Sequence, residues 1–420
     1  MKLLYTTFLL ATFFIITGCG TDDSPKGDTE DPSTPLNLMS TSATDTSIEL
    51  TWQAATDNVG VTGYNLYQDG SVTQSNISAT SISITGLIAN TPYMFQVTAV
   101  DAAGNESSLS NTVTVNTAAE PLEFLQNLSE MGVFAGTLSD LEPAAGVQLY
   151  EINSTLFTDY ASKQRLVRLP EGSSMMFNNS DLLPDFPDNT LIAKTFYYNI
   201  DDRDLSLGKQ IIETRIFLKI SGAWEASDYV WNSTQTDATL QNNGGLVPIS
   251  YIDMEGTSQN VDYVIPSQTD CRTCHNNNGR TFPIGMKLRS MNFVPSYTNM
   301  NQIDHFKSKG ILNGLGNSGD ISVLPDWTDD VTYSILERGR AYIDVNCAHC
   351  HQPGGEVTNF SLDFRYETPF AETAIYANRG EIEARIQSTL PTYRMPQLGR
   401  TIVHEEAVSM LLEYLEAIED

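Results

Sequence analysis

Leu87-Ile88-Ala89-Asn90-Thr91-Pro92-Tyr93 runs directly into Met94-Phe95-Gln96-Val97-Thr98-Ala99. Tyr93, Phe95, Val97 and Ala99 fall on every second position, so in an extended chain they share one sheet face. Ile48, Leu50 and Trp52 repeat that period upstream. Tyr93 stands where a hydroxyl reaches back to backbone a few residues earlier, the spacing of a tyrosine corner. Gly, Asn and Asp punctuate the runs, as in Asp101-Ala102-Ala103-Gly104-Asn105, and supply turns between strands. The pattern predicts short, alternating strands over residues 34–118.

Together with Trp52 and the Asp101–Asn105 turn, this stretch resembles a fibronectin type III domain over its full length. It contains no cysteine, which suits that sandwich rather than a disulfide-bridged antibody domain. The resemblance implies a spacing or binding module that docks on a polymer or a protein. No catalytic constellation falls within it.

Upstream, Lys2 precedes an apolar run from Leu3 to Ile16 that is too short for a comfortable membrane span. It ends in Ile16-Thr17-Gly18-Cys19, which resembles a bacterial lipoprotein box. Residues 1–18 are then a signal peptide and Cys19 the acylated first residue of the mature chain. Residues 19–33 hold, after Cys19, only Asp, Glu, Ser, Thr, Gly and Pro with a single Lys, an acidic linker unable to build a core. Its Cys-Gly-Thr-Asp-Asp opening also resembles the export signals of surface lipoproteins. The expected location is the outer membrane, at its periplasmic face or the cell surface, held by lipid on Cys19.

The 420 residues carry 23 Lys and Arg against 52 Asp and Glu, a net charge of −29. No basic residue occurs between Lys26 and Lys163. A phosphate backbone would be repelled, so no nucleic-acid partner is expected. Residues 120–264 bring a helix-like opening, Leu122 to Met131, then β-branched and aromatic runs such as Leu191–Ile200 and Gln210–Ile220. They predict a second, mostly β domain in which Trp224 and Trp231 are core anchors rather than sugar platforms. From residue 265 helical spacing takes over, and the expected architecture closes with a mainly α C-terminal region.

Five cysteines are present. With Cys19 given to lipid, the other four stand in Cys271-Arg272-Thr273-Cys274-His275 and Cys347-Ala348-His349-Cys350-His351. Both are C-x-x-C-H, the c-type haem attachment pattern. Two thiols one turn apart suit thioethers to one porphyrin, and the following histidine suits the iron beneath it. A zinc ribbon would space its pairs by about 15–20 residues, whereas 72 residues separate Cys274 from Cys347. The expectation is two covalent haem c groups, bound by Cys271, Cys274 and His275, and by Cys347, Cys350 and His351.

Asp330–Val345 and Glu405–Ile418 both show helical apolar spacing, with Tyr393-Arg394-Met395-Pro396 between them. A helix, C-x-x-C-H, a Met-Pro loop and a closing helix resemble a class I cytochrome c over residues 328–420. That resemblance implies Met395 as second axial ligand beside His351. For a first haem module at 265–327 the second ligand of His275 stays open among Met286, Met291, His305, His404 and water. His349 reads as a surface side chain. Arg280, Arg289, Arg394 and Arg400 are candidates to pair with haem carboxylates.

From Leu128 onward the chain resembles exported dihaem c-type cytochromes with a β-rich front domain. The resemblance rests on Pro143-Ala-Ala-Gly-Val147, Leu156-Phe-Thr-Asp-Tyr160, Lys194-Thr-Phe-Tyr-Tyr198, Tyr229-Val-Trp-Asn232, both cysteine motifs, Met395-Pro-Gln-Leu-Gly-Arg400 and Val403-His-Glu-Glu406. It implies electron transfer by iron cycling Fe(III)/Fe(II), with redox partner proteins. The alternatives are a dihaem peroxidase-like enzyme, or a surface accessory subunit relaying electrons for an oxidoreductase.

Overall fold

The computed structural model describes residues 27–357 and 361–419. The signal segment, Cys19 and the start of the acidic linker lie outside the described residues. The chain divides between Glu120 and Pro121 into two compact units. Among the described residues no helix is long and apolar enough to cross a membrane.

In the first unit, β1 (Leu36–Ala43), β2 (Ser47–Gln53) and β5 (Ser81–Thr85) form one antiparallel sheet in the order β1-β2-β5. β3 (Val61–Gln68), β4 (Ser71–Ile77), β6 (Pro92–Asp101) and β7 (Val113–Asn116) form the other, ordered β4-β3-β6-β7. The alternating side chains meet between them. Ile48, Leu50, Trp52, Tyr64, Leu66, Phe95, Val97 and Ala99 make one buried cluster, with Trp52 edge-on to Tyr64 at 5.4 Å. The Ile88 N–H donates to the Tyr93 hydroxyl at 2.9 Å. From Asp28 the linker already belongs to this unit. Asp28 Oδ1 accepts from Asn58 Nδ2 at 3.1 Å, and the Ser33 N–H donates to the Thr56 carbonyl at 2.8 Å.

The second unit is built on a six-stranded antiparallel sheet. Its strands are β8 (Val147–Leu149), β9 (Ser162–Arg168), β11 (Leu191–Asn199), β12 (Lys209–Ile220), β13 (Ala223–Trp231) and β14 (Ala238–Leu240), in the order β14-β13-β12-β11-β9-β8. A short β10 (Met175–Met176) pairs instead with β19 (Leu312–Asn313). β15 (Gly245–Ile252) and β16 (Ser258–Ile265) make a separate hairpin, and β17 (Asn276–Asn277) pairs with β18 (Arg280–Thr281). Period-2 alternation gives the large sheet two apolar faces, so both need covering. Leu166, Leu191, Ala193, Ile216, Leu218 and Tyr229 are buried on one, under Leu128, Met131 and Leu141. The expected helix at Leu122–Met131 is only a 3-10 turn at Leu128–Met131. Leu122, Phe124 and Leu125 ahead of that turn pack against the same cluster.

Val167, Ile192 and Phe217 point to the opposite face, which is covered by residues from 265–327. α2 (Leu288–Met291) and α3 (Gln302–Ser308) supply Leu288, Met291, Ile303 and Phe306 there, together with Met286. Met286 and Met291 are thus fully buried core side chains, a packing role that methionine's flexibility suits. Trp231 is buried in the sheet and donates from Nε1 to Thr214 at 3.0 Å, while Trp224 packs edge-on to Phe186.

The C-terminal region corrects the expected fold class. α4 (Ile335–Asn346), α5 (Arg379–Ile386) and α6 (Glu405–Ala417) have 12, 8 and 13 residues, separated by long irregular stretches. The described residues are 31% strand and 18% helix, and the expected mainly α, cytochrome-like C-terminal region is not present as such. α4 begins at Ile335 rather than Asp330 because Ser334 and Glu337 form a reciprocal capping box. α4 and α6 pack through Tyr342, Ile343, Leu411 and Tyr414. Their approach requires Gly339, since a Cβ there would fall inside the Tyr414 ring. Asp344 fastens α4 to the rest of the unit, accepting from Lys287 Nζ at 3.1 Å, Arg289 Nη2 at 2.9 Å and the Tyr366 N–H at 3.0 Å. Burial alone would raise its pKa, yet Lys287 and Arg289 hold it below the usual carboxylate value.

Candidate functional site: two thiol and imidazole cavities

α1 (Gln268–Cys274) starts at Ser267, whose hydroxyl and the Asp270 carboxylate cap each other's backbone. Cys271 and Cys274 are i and i+3 on this helix and so share a face. His275 ends it, and Nδ1 lies 2.9 Å from the Phe282 carbonyl. A carbonyl only accepts, so Nδ1 carries the proton and Nε2 keeps the lone pair. Metal-binding histidines use this orienting contact. Burial pushes the His275 pKa down to about 3, leaving the ring neutral. Its ring lies 4.6 Å from that of Phe217. His275 lines a cavity of about 120 Å³ together with Arg165, Lys194, Arg215 and Phe282.

The second motif follows the end of α4. Cys347 caps the helix, and the His351 N–H donates to the Cys347 carbonyl at 3.0 Å, turning the chain tightly. Cys347, Cys350, His351 and Met395 all line one cavity of about 430 Å³, walled by Leu362, Phe364 and Ile386. Burial pushes His351 down to about 4 and the Cys347 thiol up to about 12. Arg400 holds the Met395 loop: its Nη2 donates to the carbonyls of Met395 at 2.8 Å and Ser388 at 3.1 Å. Asp159 accepts from the Thr401 N–H at 2.7 Å and fixes the loop's far end.

The fold brings the two motifs together. Sγ of Cys274, Sγ of Cys350 and a ring nitrogen of His349 lie within 4.8 Å of one another. Backbone contact joins their flanks, with the Asn278 N–H donating to the Gly354 carbonyl at 2.7 Å. The Cys274 thiol is pushed up and that of Cys350 down because the first donates to the second. Burial also pushes Cys271 up to about 11. His349, expected at the surface, is 8% exposed and lines both cavities. No sequence spacing signalled this meeting. The only cue was a second histidine inside the C-x-H-C motif.

The remaining candidates go elsewhere. His404 stacks on Phe157 at 4.0 Å and shares a 3.0 Å hydrogen bond with the Tyr342 hydroxyl. His305 sits on α3 beside Tyr297. Arg289 is engaged by Asp344 and Glu367, Arg400 by backbone carbonyls, and Arg394 by the Gln397 carbonyl. Arg280 is exposed on β18.

A family model of the fibronectin type III domain matches residues 33–116. Chitinase A1 of Niallia circulans is 52% identical over 100 residues, covering 24% of this chain and 14% of the enzyme. Chitinase Chi52 of Paenibacillus xylanexedens is 48% identical over 96 residues, 23% of this chain and 18% of that one. The chain therefore spans less than a fifth of the length of these relatives. The solved chitinase ChiA74 of Bacillus thuringiensis is 21% identical over 57% of this chain and 27% of its own, at a TM-score of only 0.20. A similarity that low says nothing of fold or activity.

These findings correct the cytochrome expectation. The matched family is fibronectin type III and the relatives are chitinases, which overturns the resemblance to dihaem c-type cytochromes. Two haem c groups, iron, and electron transfer with its redox partners do not stand as the chain's function beside such relatives. The peroxidase-like and electron-relay alternatives are corrected with them. The fibronectin type III domain itself is shown.

Proposed function

We propose that the chain is an exported modular protein acting in polysaccharide breakdown. In this reading the fibronectin type III domain docks on a polymer or spaces the second unit from it. The observation that carries the reading is the 100-residue stretch 52% identical to a chitinase. The second unit then brings the chemistry, through a group held by thiol and imidazole donors. The donors are Cys271, Cys274 and His275 in the first motif and Cys347, Cys350, His351 and Met395 at the second, with His275 on the smaller cavity and His351 and Met395 on the larger. Neutral imidazoles and closely spaced thiols support that role, because both are donors once the thiols lose their protons. Attachment to the outer membrane through lipid on Cys19 belongs to the same reading.

Full-length protein from its exported form is incubated with insoluble chitin and cellulose, beside a chain lacking residues 33–116. Retention of the full chain alone is expected, and equal loss of both forms to the supernatant overturns the docking role. Intact mass, metal content and thiol alkylation read the bound group without assuming its identity. A mass equal to the bare polypeptide, with all four motif cysteines alkylated and no stoichiometric metal, overturns that part. Cys19→Ser should move the protein from the membrane to the soluble fraction.

A further inference from the structure

The smaller cavity has a charged wall that neither the thiols nor the docking domain explains. Register puts Arg165 on β9 directly opposite Lys194 on β11, and Lys194 directly opposite Arg215 on β12. Three cations thus stand in one row across adjacent strands, and all three line the cavity. Like charges facing each other across a sheet are destabilising, and burial makes them more so. The row is the more notable in a chain of net charge −29.

Only one of the three is neutralised. Glu213 accepts from Arg215 Nε at 3.0 Å and pairs with its Nη2 at 2.5 Å. Asp228 faces Arg215 from β13, and burial and then Glu213 raise its pKa well above the usual value. Arg165 is 6% exposed, and its Nη2 is buried without a hydrogen-bond partner. The Lys194 ammonium lies over the Phe196 ring at 4.8 Å. Among the described residues no carboxylate pairs with either. Asp344, the acid on the cavity wall, is already engaged by Lys287 and Arg289, and the wall's Arg365 is paired with Asp363.

Beyond the cations the wall turns apolar, through Ile152, Leu156, Ile192, Phe217, Phe282 and Ile284. We propose that this cavity binds an organic carboxylate, its anionic head against Arg165 and Lys194 and its apolar body against Phe217 and Phe282. A carboxylate fits the planar guanidinium fork, and the apolar body replaces water on the remaining wall. The inference uses none of the motif cysteines, but it shares its cavity with His275 and so rests on that histidine's donor role leaving the space beside Arg165 and Lys194 open.

Benzoate, whose ring suits a cavity of about 120 Å³, is the probe, with neutral benzamide as its isostere. Titration calorimetry on the full chain should give benzoate binding and none by benzamide. Lys194→Met should raise the melting temperature of the ligand-free chain, because an unpaired buried charge is removed. It should also weaken benzoate about ten-fold or more, as losing a charge-assisted bond does. Arg165→Gln should weaken benzoate likewise, and serves if the first variant fails to fold. Equal binding of benzamide, no binding of benzoate, or unchanged benzoate affinity in a folded variant overturns the proposal.

Discussion

The two units solve stability with different materials. Residues 27–120 hold no Arg, Lys or His at all, and their core is alternating aliphatic and aromatic side chains. The second unit holds every histidine of the chain and buries ionised groups beside its sheet. A unit without cations has no internal ion pairs to lose, so its stability rests on packing and hydrogen bonds, including those that satisfy the buried Asp101. One that buries charges depends on each partner staying in place.

That contrast can be broken at several points. The largest effect is expected at Glu213, which is fully buried between Arg215 and the Tyr263 hydroxyl at 2.5 Å. Glu213→Ala strands the Arg215 charge and should cost the second unit about 3–5 kcal/mol. Calorimetry should show its transition fall while that of the first unit stays. A shift of both transitions together would mean the units do not unfold separately. Next, Gly339→Val forces a side chain into Tyr414 and should cost about 1–3 kcal/mol by overpacking, read from the same transition.

Acidification separates the units at smaller cost. Burial depresses the His404 pKa to about 4, against the pull of Glu406 and with the help of Lys163 and Arg400. The unfolded chain therefore binds a proton that the folded one refuses. This stabilisation is whole above about pH 6.5 and is lost as pH falls toward 4, on the order of 2 kcal/mol. The first unit has no histidine and should hold level over that window in pH-dependent melting. His404→Gln should make the second unit's profile shallower there, while His275 and His351, also depressed by burial, keep the remaining slope. The smallest effect is at the tyrosine corner. Tyr93→Phe removes the acceptor of the Ile88 N–H and should cost the first unit about 1 kcal/mol by chemical denaturation.

Legibility followed the range of the contacts. The sandwich was readable because Tyr93, Phe95, Val97 and Ala99 need only their own strand's period to declare a face. α6 was readable for the same reason at a different period, and its observed span, Glu405–Ala417, ends one residue short of the expected limit. Leu122–Met131 misled because hydrophobic side chains at helical spacing also suit an arm laid along a sheet. The meeting of Cys274 with Cys350, and the row Arg165, Lys194, Arg215, depend on pairings between distant segments. Register decides them, and no local pattern encodes register between β9, β11 and β12. Both cysteine motifs were legible as thiol and imidazole clusters, whereas the comparisons, not the spacing, corrected what they were expected to hold.

The three-way grip on Asp344 bears on how the protein can be handled and inherited. Trimming it to begin at residue 328 would keep this carboxylate on α4 yet discard Lys287 and Arg289, and would also remove Asp159 from the Thr401 backbone. Such a fragment would carry an orphaned anion and an unmoored loop. The last third of the polypeptide is therefore no interchangeable cassette: export, folding and any exchange of parts must treat everything after Glu120 as a single heritable block.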